Sequence, residues 1–153
     1  MNKLELFIPP PVLALIAILL IWLLSLLLPA FTYQVKLLLW LAVLLVQAGI
    51  LLAVWAIISF FQAHTTVSPH HPENTRILVR GGAYRISRNP MYLALTMVLT
   101  GIACYVANLL GFIVIGVFVG YLTWFQIRPE ERVLAQKFAA SYAEYCNQVR
   151  RWV

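Results

Sequence analysis

Four long apolar runs alternate with short polar breaks along this chain. The first, Val12 to Leu28, has Ser25 as its only polar residue and prolines on both flanks. The second, Leu37 to Phe61, is interrupted only by Gln47 and Ser59. At about 1.5 Å per residue it overshoots a ~30 Å hydrocarbon core, so it should tilt or project beyond it. Met91 to Ala107 and Leu109 to Ile127 are parted only around Asn108, which predicts a tight helical hairpin. The expected elements are four transmembrane helices at 12–28, 37–61, 91–107 and 109–127.

Composition agrees with the pattern. Hydrophobic residues make up 63% and charged residues 10%, with a mean hydropathy of +0.88, against roughly 25% charged in an average soluble domain. The expected fold class is all-α integral membrane: four transmembrane helices, a cytoplasmic polar loop at 62–90 and an amphipathic C-terminal segment at 128–153, in a single domain spanning 1–153. No separate soluble domain fits, so any activity belongs at the membrane. The first run is expected to stay as a span rather than be cleaved as a signal. Its apolar stretch is long, no small-x-small site follows, and Glu5 interrupts the basic start.

Four spans put both termini on one side. Placing them in the cytoplasm sets Lys3, Arg76, Arg80, Arg85, Arg88, Arg128, Arg132, Lys137, Arg150 and Arg151 inside and leaves Lys36 outside, as the positive-inside rule asks. The inner or plasma membrane of a prokaryote is the expected location. The net charge of +6 is then a matter of topology and of contact with anionic membrane lipids, not of nucleic acid. Cys104 in the third span and Cys146 in the tail should lie far apart, with no disulfide.

The chemistry gathers in the insert from Thr65 to Tyr92. Prolines at 69 and 72 forbid a continuous helix there. Ile77, Leu78 and Val79 before Gly81 and Gly82 suit a short extended piece followed by a turn with φ > 0. Asn89 then reads as an N-cap and Pro90 as the first helical residue of the third span. That helix start, with Arg88 beside it, is either an ordinary capped terminus or a receiver for a carboxylate or phosphate. His64, His70, His71 and Glu73 offer metal-type ligands without a spacing that puts them on one face, so no metal is expected.

Glu130 and Glu131 follow the fourth span directly. With Pro129 at a first helical position they would occupy the first turn of a new tail helix, where its dipole favours them. Alternatively, they face Arg88 and the glycine turn and bind hydroxyls or a positive charge. Leu134, Phe138, Tyr142, Tyr145, Val149 and Trp152 then form a helical stripe that should lie along the headgroups or cover the insert.

These residues together carry a resemblance. Thr65, Thr66, Val67 and Pro69, then Leu78, Val79, Gly82 and Tyr84, then Arg88, Asn89, Pro90 and Tyr92, then Glu130, Glu131, Leu134, Phe138, Tyr142 and Tyr145 resemble the ordered blocks of the isoprenylcysteine carboxyl methyltransferase family and its phospholipid methyltransferase relatives. Departures are Asn89 for histidine, Ala83 for proline, and Ala94 and Ala139 for glycine. The resemblance implies binding of S-adenosylmethionine at the cytoplasmic mouth of spans three and four. The implied cofactor-binding residues are Leu78, Val79, Gly82, Tyr84, Arg88, Asn89, Pro90, Tyr92, Glu130 and Glu131.

In that reading Arg88 and the start of span three suit the methionine carboxylate, the two glutamates suit the ammonium or ribose, and Leu78, Val79 and Tyr84 suit the adenine. Arg128 would hold an acceptor carboxylate, and a glutamate such as Glu131 would take the proton of an acceptor amine. The acceptor would be lipophilic or lipid-linked and pass between spans near Gln47, Thr96 and Thr100, unless those residues serve interhelical packing. A non-catalytic scaffold or transporter subunit is the alternative; a nicotinamide-dependent membrane reductase ranks below it for want of a dinucleotide fingerprint.

Overall fold

Apolar helices form where the apolar runs predict them: α1 Pro10–Leu27, α2 Lys36–Gln62, α3 Pro90–Val106 and α4 Leu109–Tyr121. The computed structural model describes residues 8–33, 35–62 and 77–153. Lys3, Glu5, His64, Thr65, Thr66, Val67, Pro69, His70, His71, Pro72, Glu73 and Arg76 lie outside the described residues. Three helical stretches are long and apolar enough to cross a membrane, and α3 is a shorter apolar helix of 17 residues. The chain is an integral membrane protein. Among the described residues the only strand-type pairing is one antiparallel bridge, Thr32 to Asn108.

Small residues bring the helices together. α2 packs along α3, and at Gly101 the backbones come so close that a Cβ would stand 2.9 Å from the Ala42 carbonyl oxygen. Close approach through small residues is the usual means of association where lipid removes the hydrophobic drive. α1 lies against α3 and α4 through Ala14, Ala17 and Ile21, which pack with Leu99, Ala103, Ile115 and Phe118. Thr96 and Thr100 turn their hydroxyls back to carbonyls of their own helix, at 2.9 and 2.7 Å, and form no interhelical bond among the described residues. Gln47 is exposed on α2.

The α3–α4 hairpin is as tight as the sequence implies. Ala107 ends α3 in the left-handed region at φ 57, and Asn108 caps α4 by accepting the Leu110 N–H at 3.0 Å. The Asn108 amide also donates to Leu28 O at 3.1 Å and Thr32 Oγ1 at 3.0 Å, tying the hairpin to the end of α1.

At the opposite end of α4, one expectation is corrected. α4 passes through a π-helical turn, Leu122–Ile127, directly into α5, Arg128–Gln148. Ile127 and Arg128 already have helical dihedrals, so Glu130 and Glu131 do not sit on a fresh helix N-terminus and gain nothing from its dipole. The cause is local: proline lacks an N–H and its ring crowds the carbonyl four residues back, and a wide turn just before Pro129 absorbs both defects without breaking the helix. α5 bends further on, where Ala139 takes φ 39, ψ −115. This is one of the positions at which glycine is common in the resembling family.

Candidate functional site

The insert folds onto the end of α2. Gly82 has φ +58, and a side chain there would collide with Ser59 Oγ. That hydroxyl is already engaged, accepting the Ala83 N–H at 3.3 Å and donating to Trp55 O at 2.8 Å. The short 3-10 turn Gly82–Arg85 then seats Tyr84 edge-on against Phe60, with ring centroids 5.2 Å apart.

The stripe on α5 covers this turn. Val79, Ala83 and Tyr84 form one buried apolar cluster with Tyr142 and Tyr145, flanked by Leu78, Leu134, Phe138 and Val149. The Tyr145 hydroxyl donates to Tyr84 O at 2.7 Å, and Arg80 bonds Ser141 O and pairs with Glu144 at 3.3 Å. Burial first, then the neighbouring Tyr145 and Glu130, holds the Tyr84 phenol well above its ordinary range, and burial likewise raises Tyr142 and Tyr145. All three are fixed as neutral hydroxyls.

After α5 the chain turns extended at Val149 and doubles back along the start of α3. The Arg150 carbonyl accepts the Arg88 N–H at 3.0 Å, and the Arg151 carbonyl accepts from Ser87 Oγ at 3.2 Å and from Asn89 Nδ2 at 2.9 Å. Asn89 is thus at the N-cap position but its side chain caps nothing, a second correction. Its amide is committed to Arg151, and its own N–H is accepted by Ser87 Oγ at 3.1 Å. Pro90 is buried at the first turn of α3.

Two carboxylates adjacent in sequence occupy different surroundings. Glu131 is clamped between two guanidiniums: Arg88 Nη2 at 3.1 Å and Arg151, whose Nη2 lies 2.7 Å from Oε2 and whose Nε lies 3.1 Å from both oxygens. The Arg88 guanidinium also donates to Cys146 Sγ. Glu130 instead faces inward, where its Oε1 accepts from the Tyr92 hydroxyl at 2.5 Å and from Gln126 Nε2 at 2.9 Å. Burial pushes its carboxyl up to about 7 from 4.5, against the two hydrogen bonds, which lower it.

Beside Glu131 opens a cleft of about 770 Å³. Arg88, Arg128, Arg132 and Arg151 line it with Glu131, and Trp124, Phe125, Tyr142, Ala135 and Cys146 supply its less polar walls. Arg128 lies over the Trp124 ring, 3.4 Å from the centroid. Arg88 Nε is buried and has no hydrogen-bond partner among the described residues. The cleft therefore offers several fixed cations, one carboxylate and aromatic faces, the equipment for a ligand that carries an anionic group and a planar or apolar part.

Of the residues singled out from sequence, Arg88, Arg128 and Glu131 meet at this cleft. Tyr92 and Glu130 bond each other, and Asn89 and Pro90 fix the start of α3. Leu78, Val79, Gly82 and Tyr84 do not line the cleft; Gly82 sits against Ser59, and the other three pack in the apolar cluster that shares Tyr142 and Cys146 with it. Gln126 and Trp124 have no place in the sequence reading, where Arg151 is only a topological charge and Cys146 only a thiol without a disulfide. Gln126 did leave a signal, as an amide in an apolar run four residues before Glu130.

Residues 37–141 match the family model described as phospholipid methyltransferase. An uncharacterized protein of Haemophilus influenzae is 35% identical over 63 residues, covering 41% of this chain and 100% of that protein. No solved structure matches.

Proposed function

The chain belongs to the phospholipid methyltransferase family, and from that premise we propose that it transfers a methyl group from S-adenosylmethionine to a lipophilic or lipid-linked acceptor at the cytoplasmic membrane face. Membership implies methyltransferase activity at a membrane; the donor, the acceptor class and the side of the membrane are the proposal. The observation that carries it is the cleft beside Glu131, bounded by the start of α3 and the start of α5.

The residues there fit the methyl donor. Arg88 has a buried Nε without a partner among the described residues, which a carboxylate would satisfy. Glu130 is not on the cleft lining; it adjoins Glu131 and faces α3, with one oxygen bonded twice and the other free of donors among the described residues, a neighbouring acceptor for ammonium or hydroxyl groups. Trp124, Phe125 and Tyr142 offer aromatic surface for a planar base. When bound, the group supplies a methyl on a sulfonium, open to in-line displacement.

The chain's own contribution is mainly alignment and exclusion of water, which proximity rewards with about 7–11 kcal/mol. Arg88 and Arg151 already match Glu131, and Arg128 lies over the Trp124 ring as a further cation on the cleft wall, which supports an acceptor that is anionic or carries an anionic group. Arg128, set at the end of the apolar run, is the residue to hold that group. Glu131 keeps Arg88 and Arg151 in place and, for an amine acceptor, is the carboxylate on the cleft wall that can take the proton.

Calorimetric titration of the detergent-purified protein with S-adenosylhomocysteine tests this, repeated on Arg88→Ala and Glu130→Gln. Binding by wild type that falls at least tenfold in each variant is expected. A folded wild type that does not bind refutes the reading. Labelled methyl transfer to membrane extracts then separates acceptors, since base-labile product marks an ester and base-stable product an amine.

A further inference from the structure

The π-helical turn holds one fully buried amide, Gln126, 1% exposed in an otherwise apolar stretch. An amide so placed is costly unless bonded. Its Nε2 donates to Glu130 Oε1, the same oxygen that Tyr92 bonds from α3. Two donors from two helices therefore converge on one oxygen of one carboxylate. Glu130 Oε2 accepts no hydrogen bond from the described residues. The wide turn that carries Gln126 is also of a kind that recurs at functional sites.

We infer that Gln126 is a positioning residue: with Tyr92 it pins Oε1 of Glu130 and thereby fixes Oε2 toward the donor groups of the methyl donor. The inference rests on the proposed function, in which Glu130 is a cofactor ligand. Gln126 donates to Glu130 and is absent from the cleft lining, so it acts through the carboxylate. The groups facing Glu130 are Tyr92 of α3, Tyr84 of the insert turn, Gln126 of the π turn and Glu131 of α5. Burial raises its carboxyl most, Tyr92 and Gln126 lower it, and Glu131 raises it, leaving it at about 7. Withdrawing the Gln126 donor must therefore move its ionisation to higher pH.

The test is titration of the full-length protein in detergent with S-adenosylhomocysteine from pH 6 to 9, for wild type, Gln126→Leu and Gln126→Glu. Losing a hydrogen bond to a charged group moves ionisation by about one pH unit, so the ionised fraction at pH 7, and with it affinity, falls about fivefold in Gln126→Leu. The deficit closes by pH 9. Gln126→Glu, isosteric but facing Glu130 with a second carboxyl, makes the pair ionise in two coupled steps, the second above the wild-type midpoint, so its profile departs from that of wild type. The ligand's own ammonium titrates alike in every variant and cancels from the comparison. A Gln126→Leu profile that overlies wild type overturns the positioning role while leaving the proposed function standing. A folded wild type that binds at no pH overturns both. Should Gln126→Leu not fold, the Gln126→Glu profile decides by the same criterion.

Discussion

Replacing Glu130 by glutamine should stabilise the protein above neutral pH even though it weakens the proposed site. The Glu130 carboxyl sits at about 7 in the fold against an ordinary 4.5, chiefly because it is buried. An acid raised in this way keeps its proton in the folded state over a range where the unfolded chain has lost it. Stability is therefore greatest below about pH 4.5, falls as pH climbs toward 7, and stays low above that. At about 1.4 kcal/mol per pH unit the loss is bounded at about 3 kcal/mol. Glutamine does not titrate, and its carbonyl can still accept from Tyr92 and Gln126. Glu130→Gln should thus lie within about 1 kcal/mol of wild type near pH 5 and exceed it by about 1–3 kcal/mol at pH 8, or roughly 2–12 °C in Tm for a chain this long. Thermal unfolding in detergent, followed by tryptophan fluorescence at pH 5, 6, 7 and 8, reads the difference between the two proteins, in which groups common to both cancel. A difference that is independent of pH, or that favours wild type at pH 8, would refute the buried, raised carboxyl.

Other substitutions probe the framework around it. Glu131→Gln leaves Arg88 and Arg151 facing each other without the carboxylate that joins them, and should cost about 2 kcal/mol; in a double-mutant cycle with Arg151→Ala, a coupling of zero would mean that the clamp does not form in solution. Gly82→Ala forces a side chain into φ +58 and against Ser59 Oγ, and should lower stability by about 2 kcal/mol from backbone strain and the weakened bond to Ala83. An unshifted denaturation midpoint would contradict the turn geometry. Ala139→Gly should raise stability by about 1 kcal/mol, because φ 39, ψ −115 strains any residue with a Cβ; a lower Tm would indicate that α5 runs straight through.

The apolar helices could be read directly from the chain because lipid-facing helices need unbroken apolar runs, and the hairpin because Asn108 stands alone between two of them. Gly82 was legible for a similar reason, since a positive φ favours one residue type. What failed was the meaning of two cap-like residues. Pro129 suits the first turn of a new helix, but it suits equally the turn after a π bulge, and only three-dimensional continuity separates the two. Asn89 has the right residue type for a cap, yet its amide is taken by the Arg151 carbonyl 62 residues away. Tertiary competition of that kind leaves no trace in local spacing. Arg88 and Glu131 were each conspicuous; the third member of their cluster, Arg151, was one more basic residue among many near the membrane boundary.

The continuity of α4 and α5 also explains how two neighbouring glutamates come to differ. Consecutive residues on a helix point about 100° apart, so a rigid helix fixes Glu130 and Glu131 toward different partners. Glu130 looks back at α3 and meets a phenol and an amide; Glu131 looks at the returning chain and meets two guanidiniums. A fresh, fraying helix start would let the two carboxylates exchange these surroundings. With α4 running through the π turn, the span itself sets their directions, and tilting α4 against α3 would strain the Tyr92 and Arg88 contacts together. Environment then assigns the roles: a carboxyl near its ionisation midpoint on one side and a carboxylate clamped by two guanidiniums on the other.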